Sequence, residues 1–190
     1  MTERCISLKT IGYISDVIIK NQKFNDVCVW ALGNMKNTKN NVLEREWGNS
    51  MINQVNNGQW TTKLGEWLVF ELLARLGCAP RRPVKKGGYL VDWETDTHMV
   101  EVKTRNFSTT GTAGEKVFGT PLKYAEIPEL YGKPLMIVCV GYQEYEMTHG
   151  ATPIFGDKVR PKTAEFLKFY ELNQITFVPC SVLINQVNSL

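Results

Sequence analysis

A chain of 190 residues with 43% hydrophobic content can bury one sizeable core, and it contains no apolar run long enough to span a membrane. Its net charge of +3 permits nucleic-acid binding without requiring it. Five scattered cysteines point to a reduced cytosolic protein; no pair has zinc spacing, and two histidines are too few for a zinc or His-metal finger nuclease. Met1 to Thr10 carries Glu3, Arg4 and Lys9 and lacks the apolar stretch of a secretory signal.

From Ile6 to Leu32 the pattern gives about two elements. ISLKTIGYISDVIIK is ambiguous between helix and strand, and FNDVCVWAL reads as a strand or short helix. Asn34 to Asn57 is rich in Asn, with a helix over LEREWGNSMINQV, and is better read as polar surface than as a DNA contact. TKLGEWLVFELLARLG is a helix that is apolar almost all round, which predicts burial against a sheet. A basic loop, PRRPVKKGG, follows it. YLVDW and HMVEVKT both read as strands, with Glu94 to Thr97 as the turn of an antiparallel hairpin. The next segment, TRNFSTTGTAGEKVFGTPLKY, is dense in Gly, Ser, Thr and Lys and lacks P-loop spacing, so no nucleotide cofactor is implied. KYAEIPELYG is a short helix, KPLMIVCVGYQ a central strand starting after Pro134, TAEFLKFYELNQ an amphipathic helix, and ITFVPCSVLI a closing strand. Repeats and linkers are absent, which predicts a single α/β domain.

The hairpin carries the chemistry. With Asp96-Thr97 as its two-residue turn, Asp92 lies across from Glu101, with Cβ atoms roughly 5 Å apart. Period-two geometry puts Glu101 and Lys103 on one face and turns Val100 and Val102 into a core. Opposed carboxylates weaken a hairpin unless a cation sits between them, and hard oxygen donors suit Mg²⁺. Such an ion would activate a water and polarise a phosphate oxygen, while the Lys103 ammonium holds that water and neutralises developing charge. A solvated hairpin face would explain Glu101 and Lys103 alone. The second acid, the spacing, the preceding Gly65-Glu66 helix and the basic segment downstream favour a nuclease site.

In this order Asp92, Glu101 and Lys103 resemble the PD-(D/E)xK nuclease superfamily, with Val91 in place of the Pro that many members also lack. The resemblance covers Lys63 to about Gly141 and implies a restriction-endonuclease-like mixed β-sheet core flanked by helices. It makes Glu66 the helical acid that completes the metal site beside Asp92 and Glu101, with Glu71 as the second choice; for Glu71 and Arg75 a plain surface ion pair is the better reading. The segment EKVFGTPLKYAEIPELYGKPLMIV is most similar to type II restriction endonucleases.

The resemblance therefore implies a Mg²⁺-dependent endonuclease, with Mn²⁺ as a substitute, that cuts double-stranded DNA as a homodimer. The expected catalytic core spans residues 61–145, with residues 1–60 as a helical recognition extension. Phosphate contacts are expected from Arg81, Arg82, Lys85 and Lys86 before the hairpin and from Arg105, Lys116 and Lys123 after it. A structure-selective repair or recombination nuclease, a nuclease subunit of a larger complex, and a non-catalytic DNA-binding module are the rival readings. Base-reading residues in the Asn-rich region or in the loop from Phe107 to Thr112 have no visible code.

Overall fold

The computed structural model describes residues 8–33, 41–53, 59–108 and 112–190. Cys5, much of the Asn-rich region and the middle of the Phe107 to Thr112 loop lie outside the described residues. Instead of two elements, the first segment forms a single helix, α1 (Leu8–Ala31). Phe24, Val27, Cys28 and Ala31 are all buried, a three-four-seven spacing that only a helix puts on one side, so the β-leaning residue types of FNDVCVWAL yield to packing. Helices α2 (Asn41–Met51) and α3 (Trp60–Arg75) follow, and the α3 ladder Leu64, Leu68 and Leu72 is fully buried.

Four strands make one sheet in the order β1 (Trp93–Glu94), β2 (Met99–Arg105), β3 (Leu135–Gly141), β4 (Ile175–Pro179). β1 is antiparallel to β2, while β2, β3 and β4 run parallel, so the sheet is mixed. Helices cover both faces. Val100, Val102, Val138 and Val140 pack on one face against α1, α3 and α8 (Cys180–Asn188), and Met99, Leu135, Ile137 and Cys139 pack on the other. This second face is closed by the crossover between β2 and β3, which contains a 3₁₀ turn (Thr112–Val117) and the short helices α4 (Thr120–Lys123) and α5 (Ile127–Tyr131). KYAEIPELYG is thus parts of two helical turns rather than one helix.

Three further segments depart from the sequence reading. YLVDW is not a full strand: Lys86 and Tyr89 exchange backbone hydrogen bonds around Gly87-Gly88, both at positive φ, and pairing with β2 begins only at Trp93. The last run is half strand and half helix, since β4 ends at Pro179 and α8 starts at Cys180. There the Glu144 carboxylate accepts the Ser181 N–H at 3.0 Å, doing for α8 what an N-cap side chain does. Glu144 belongs to α6 (Tyr142–His149), a helix the sequence pattern did not announce. Helix α7 (Pro161–Leu172) packs along β4 but leaves Phe166, Phe169 and Leu172 exposed, so its apolar residues are not all on a buried side.

α1, α2, α3 and β2 share one core across residue 60, and β4 and α8, beyond residue 145, complete the sheet and that core. No helix among the described residues is long and apolar enough to cross a membrane.

Gly65 sets how closely α3 approaches β2, because a methyl group there would overlap the Thr104 side chain. In an exposed helix Gly→Ala gains about 1 kcal/mol. Here Gly65→Ala is expected to destabilise by about 1–3 kcal/mol through overpacking. Urea unfolding of the two proteins reads the sign, and a stabilised variant would contradict this contact.

Candidate active site

The hairpin has the register its spacing predicts, with Trp93 opposite Val100 and Glu94 opposite Met99. Thr95 N–H donates to the His98 carbonyl at 2.8 Å, leaving Asp96 and Thr97 as the two turn residues. The turn is braced from outside. Arg81 holds Glu94 at 3.0 Å and Asp96 at 2.9 Å, and Lys133 donates to Glu94 at 2.6 Å and to the Thr95 carbonyl at 2.7 Å.

One residue beyond the ladder, the Asp92 carboxylate accepts the Val102 N–H at 2.7 Å. A side chain thus replaces the backbone carbonyl that a longer β1 would supply, and it brings Asp92 beside Glu101. Glu101 is only 5% exposed, because the face it shares with Met99 lies under the second core rather than in solvent. Its carboxylate receives the Lys103 ammonium at 2.6 Å. Burial, and then the Glu101 charge, push the Asp92 carboxyl up from 3.8 to about 7 against the opposing Val102 hydrogen bond. Two acids and a lysine are therefore assembled in a poorly solvated corner, where Coulomb interactions are strong.

Glu66 stands beside them on α3, close enough for its charge to act on Asp92, and its carboxylate is engaged by Arg82 at 2.7 Å. Arg82 also donates to the Asp92 carbonyl at 2.9 Å and lies 4.0 Å over the Trp93 ring, whose indole N–H bonds the Glu66 carbonyl at 3.0 Å. Glu71 is elsewhere: it faces Lys20 of α1 at 3.2 Å and is buried, so its pair with Arg75, at 4.0 Å, is not the plain surface bridge expected.

Tyr124 is the residue that sequence reasoning missed. Buried on the second face, its hydroxyl interacts with Glu101 and accepts from Lys123 at 2.9 Å, and burial followed by the Glu101 charge pushes it up to about 12. It therefore stays a neutral donor that steadies the Glu101 carboxylate. Its position in TPLKY, just past a run of small polar residues, gave no hint of this contact.

The basic residues divide. All but Arg105 are exposed. Arg81 and Arg82 are committed to the hairpin and to Glu66, Lys86 bonds the Leu130 carbonyl at 3.4 Å, and Lys123 bonds Tyr124. Arg105 is 6% exposed and pairs with Glu146 at 2.6 Å, inside the fold rather than on a surface track.

Asp92 and Glu101 offer the hard oxygen donors that a divalent cation takes, and their mutual repulsion is what such an ion would relieve. Among the described residues no group of three or more His, Cys, Asp or Glu side chains is gathered to hold a metal ion; Glu66, the natural third donor, is on Arg82. Comparison with family models, with curated proteins and with solved structures finds no match to this chain.

A proton bound more tightly in the folded than in the unfolded state stabilises at low pH. For Asp92 that contribution is complete below about pH 4 and is lost as pH rises to about 7. Asp92→Asn, which can still accept from Val102, should therefore melt above the parent protein at pH 8, with the gain shrinking toward pH 4. Thermal melts across that range test this, and a pH-independent difference would remove the assigned cause.

Proposed function

We propose that the chain is a Mg²⁺-dependent DNA endonuclease of the PD-(D/E)xK kind, acting as a homodimeric, sequence-specific type II restriction enzyme. The observation that carries this reading is the convergence of Asp92, Glu101 and Lys103 between β1 and β2, with Glu66 of α3 beside them. The order of helix, hairpin, crossover and parallel strand along a mixed sheet supports it.

Asp92, Glu101 and, once released from Arg82, Glu66 would hold the ion, which when bound supplies charge neutralisation and an acidified water. The protein's own parts do the rest. Val102 N–H and Tyr124 fix the two carboxylates, so little reorganisation is needed when substrate arrives. Lys103, resting on Glu101, carries the positive charge that orients the attacking water and offsets charge building on the phosphate. Lys85 and Lys116 are among the exposed cations that can meet phosphates along the duplex. A dimer related by a two-fold axis would present one such site to each strand of a symmetric sequence.

Digestion of unmethylated DNA tests the reading. Mg²⁺ or Mn²⁺ should yield discrete fragments, EDTA none, and Ca²⁺ binding with little cleavage, since its looser geometry activates water less well. Asp92→Ala and Glu101→Ala should abolish cleavage while still folding, and Lys103→Ala should keep DNA binding but lose roughly 10²–10³ in turnover. Cleavage that persists in EDTA, or in Asp92→Ala, would overturn the assignment. Random fragments would retain the nuclease and reject sequence specificity.

A further inference from the structure

Beside the carboxylates lies a cleft of about 430 Å³, within the size range of small-ligand sites. One wall is a single face of α3, where Thr62, Glu66, Trp67 and Phe70 recur at helical spacing; the other is Arg82 and Trp93. The lining is aromatic. Phe70 and Trp93 are 5.0 Å apart, and cations sit over the indoles, Arg82 at 4.0 Å from Trp93 and Lys23 at 4.8 Å from Trp67. Aromatic rings that already hold a cation on a face, with a few polar groups at the rim, suit a planar, electron-rich heterocycle that takes the place of Arg82 on Trp93 or slots against Trp67.

Position narrows the ligand. Glu66 lines the cleft and also stands beside Asp92, while Arg82 links Glu66 to the Asp92 carbonyl. Whatever enters the cleft is therefore a single side chain away from the proposed scissile phosphate. A base inside a duplex has both faces covered by its neighbours and cannot enter. We propose that the cleft between α3 and Trp93 takes one unpaired nucleobase of a DNA strand, next to the phosphate held at Asp92 and Glu101. The second half of this statement rests on the nuclease reading; the base site itself does not. The substrate class becomes DNA with a base out of the stack at the cut, whether bulged, overhanging or extruded by the protein.

Three duplexes of one sequence test it by fluorescence anisotropy in EDTA: fully paired, with a single bulged nucleotide, and with that nucleotide made abasic. The bulged duplex should bind about tenfold more tightly than the abasic one, the effect of stacking a single base. Thr62→Trp, which fills the cleft from an exposed position, should erase the difference, as should Trp67→Leu, which removes a wall; Thr62→Trp keeps the test open if Trp67→Leu fails to fold. Equal binding of bulged and abasic duplexes would overturn the cleft, as would an undiminished preference in a normally melting Thr62→Trp. A parallel Mg²⁺ digest separates the two readings. Equal cleavage of the bulged and abasic duplexes removes the cleft and leaves the nuclease, whereas a binding preference lost in Thr62→Trp without any cleavage keeps the cleft and removes the nuclease.

Discussion

The hydrogen bond from the Val102 amide to the Asp92 carboxylate is the contact on which the site depends. Alternate amides of β2 face β3, beginning with Met99 N–H on the Pro134 carbonyl, so Val102 points the opposite way, to where β1 has already ended. An unpaired amide there would be costly, and a carboxylate is a strong acceptor for it. The same bond forces Asp92 up against Glu101. Satisfying the backbone and creating the electrostatic conflict are one event.

That conflict is contained by what surrounds it. Lys103 lies on Glu101, Tyr124 steadies the same carboxylate from the crossover, and Arg82 draws Glu66 to one side. Because Glu101 sits under a core rather than in water, the contacts of Lys103 and Tyr124 with it are weakly screened and hold it in a defined place. Arg82 is the hinge of the arrangement: it joins the helical acid, the Asp92 main chain and the Trp93 ring. Its guanidinium neutralises the Glu66 carboxylate that would otherwise face Asp92 unpaired.

Short-range geometry made much of this readable in the sequence. A two-residue turn dictates the register, so the pairing of Trp93 with Val100 follows from Asp96-Thr97 alone, and the leucine ladder of α3 and the apolar run of β3 announce themselves by period. What escaped depends on partners far along the chain. β1 is short because a side chain takes over from its backbone, α1 is continuous because Phe24 to Ala31 meet a shared core, and Tyr124 and Arg105 acquire their partners only when the crossover and α6 dock. The run ITFVPCSVLI changes from strand to helix at Pro179, where Glu144, some 35 residues earlier, caps the new helix. Composition within a window contains no trace of such an acceptor.

Glu44 of α2, buried at 1% exposure, accepts from the Trp30 indole at 2.9 Å, from the Phe107 N–H at 2.9 Å and from the Ser108 N–H at 3.0 Å, and also from the Ser108 hydroxyl. The loop that leaves β2 is thus moored largely by its backbone, and a backbone amide is present whatever residue carries it, proline excepted. Over evolutionary time this separates two pressures. Glu44 must be kept, or the Trp30 indole and two loop amides lose their acceptor, whereas the side chain at Phe107 can drift without casting the loop off from Glu44. A chain built this way can revise the loop that leaves β2 by ordinary point substitution while the anchorage stays constant.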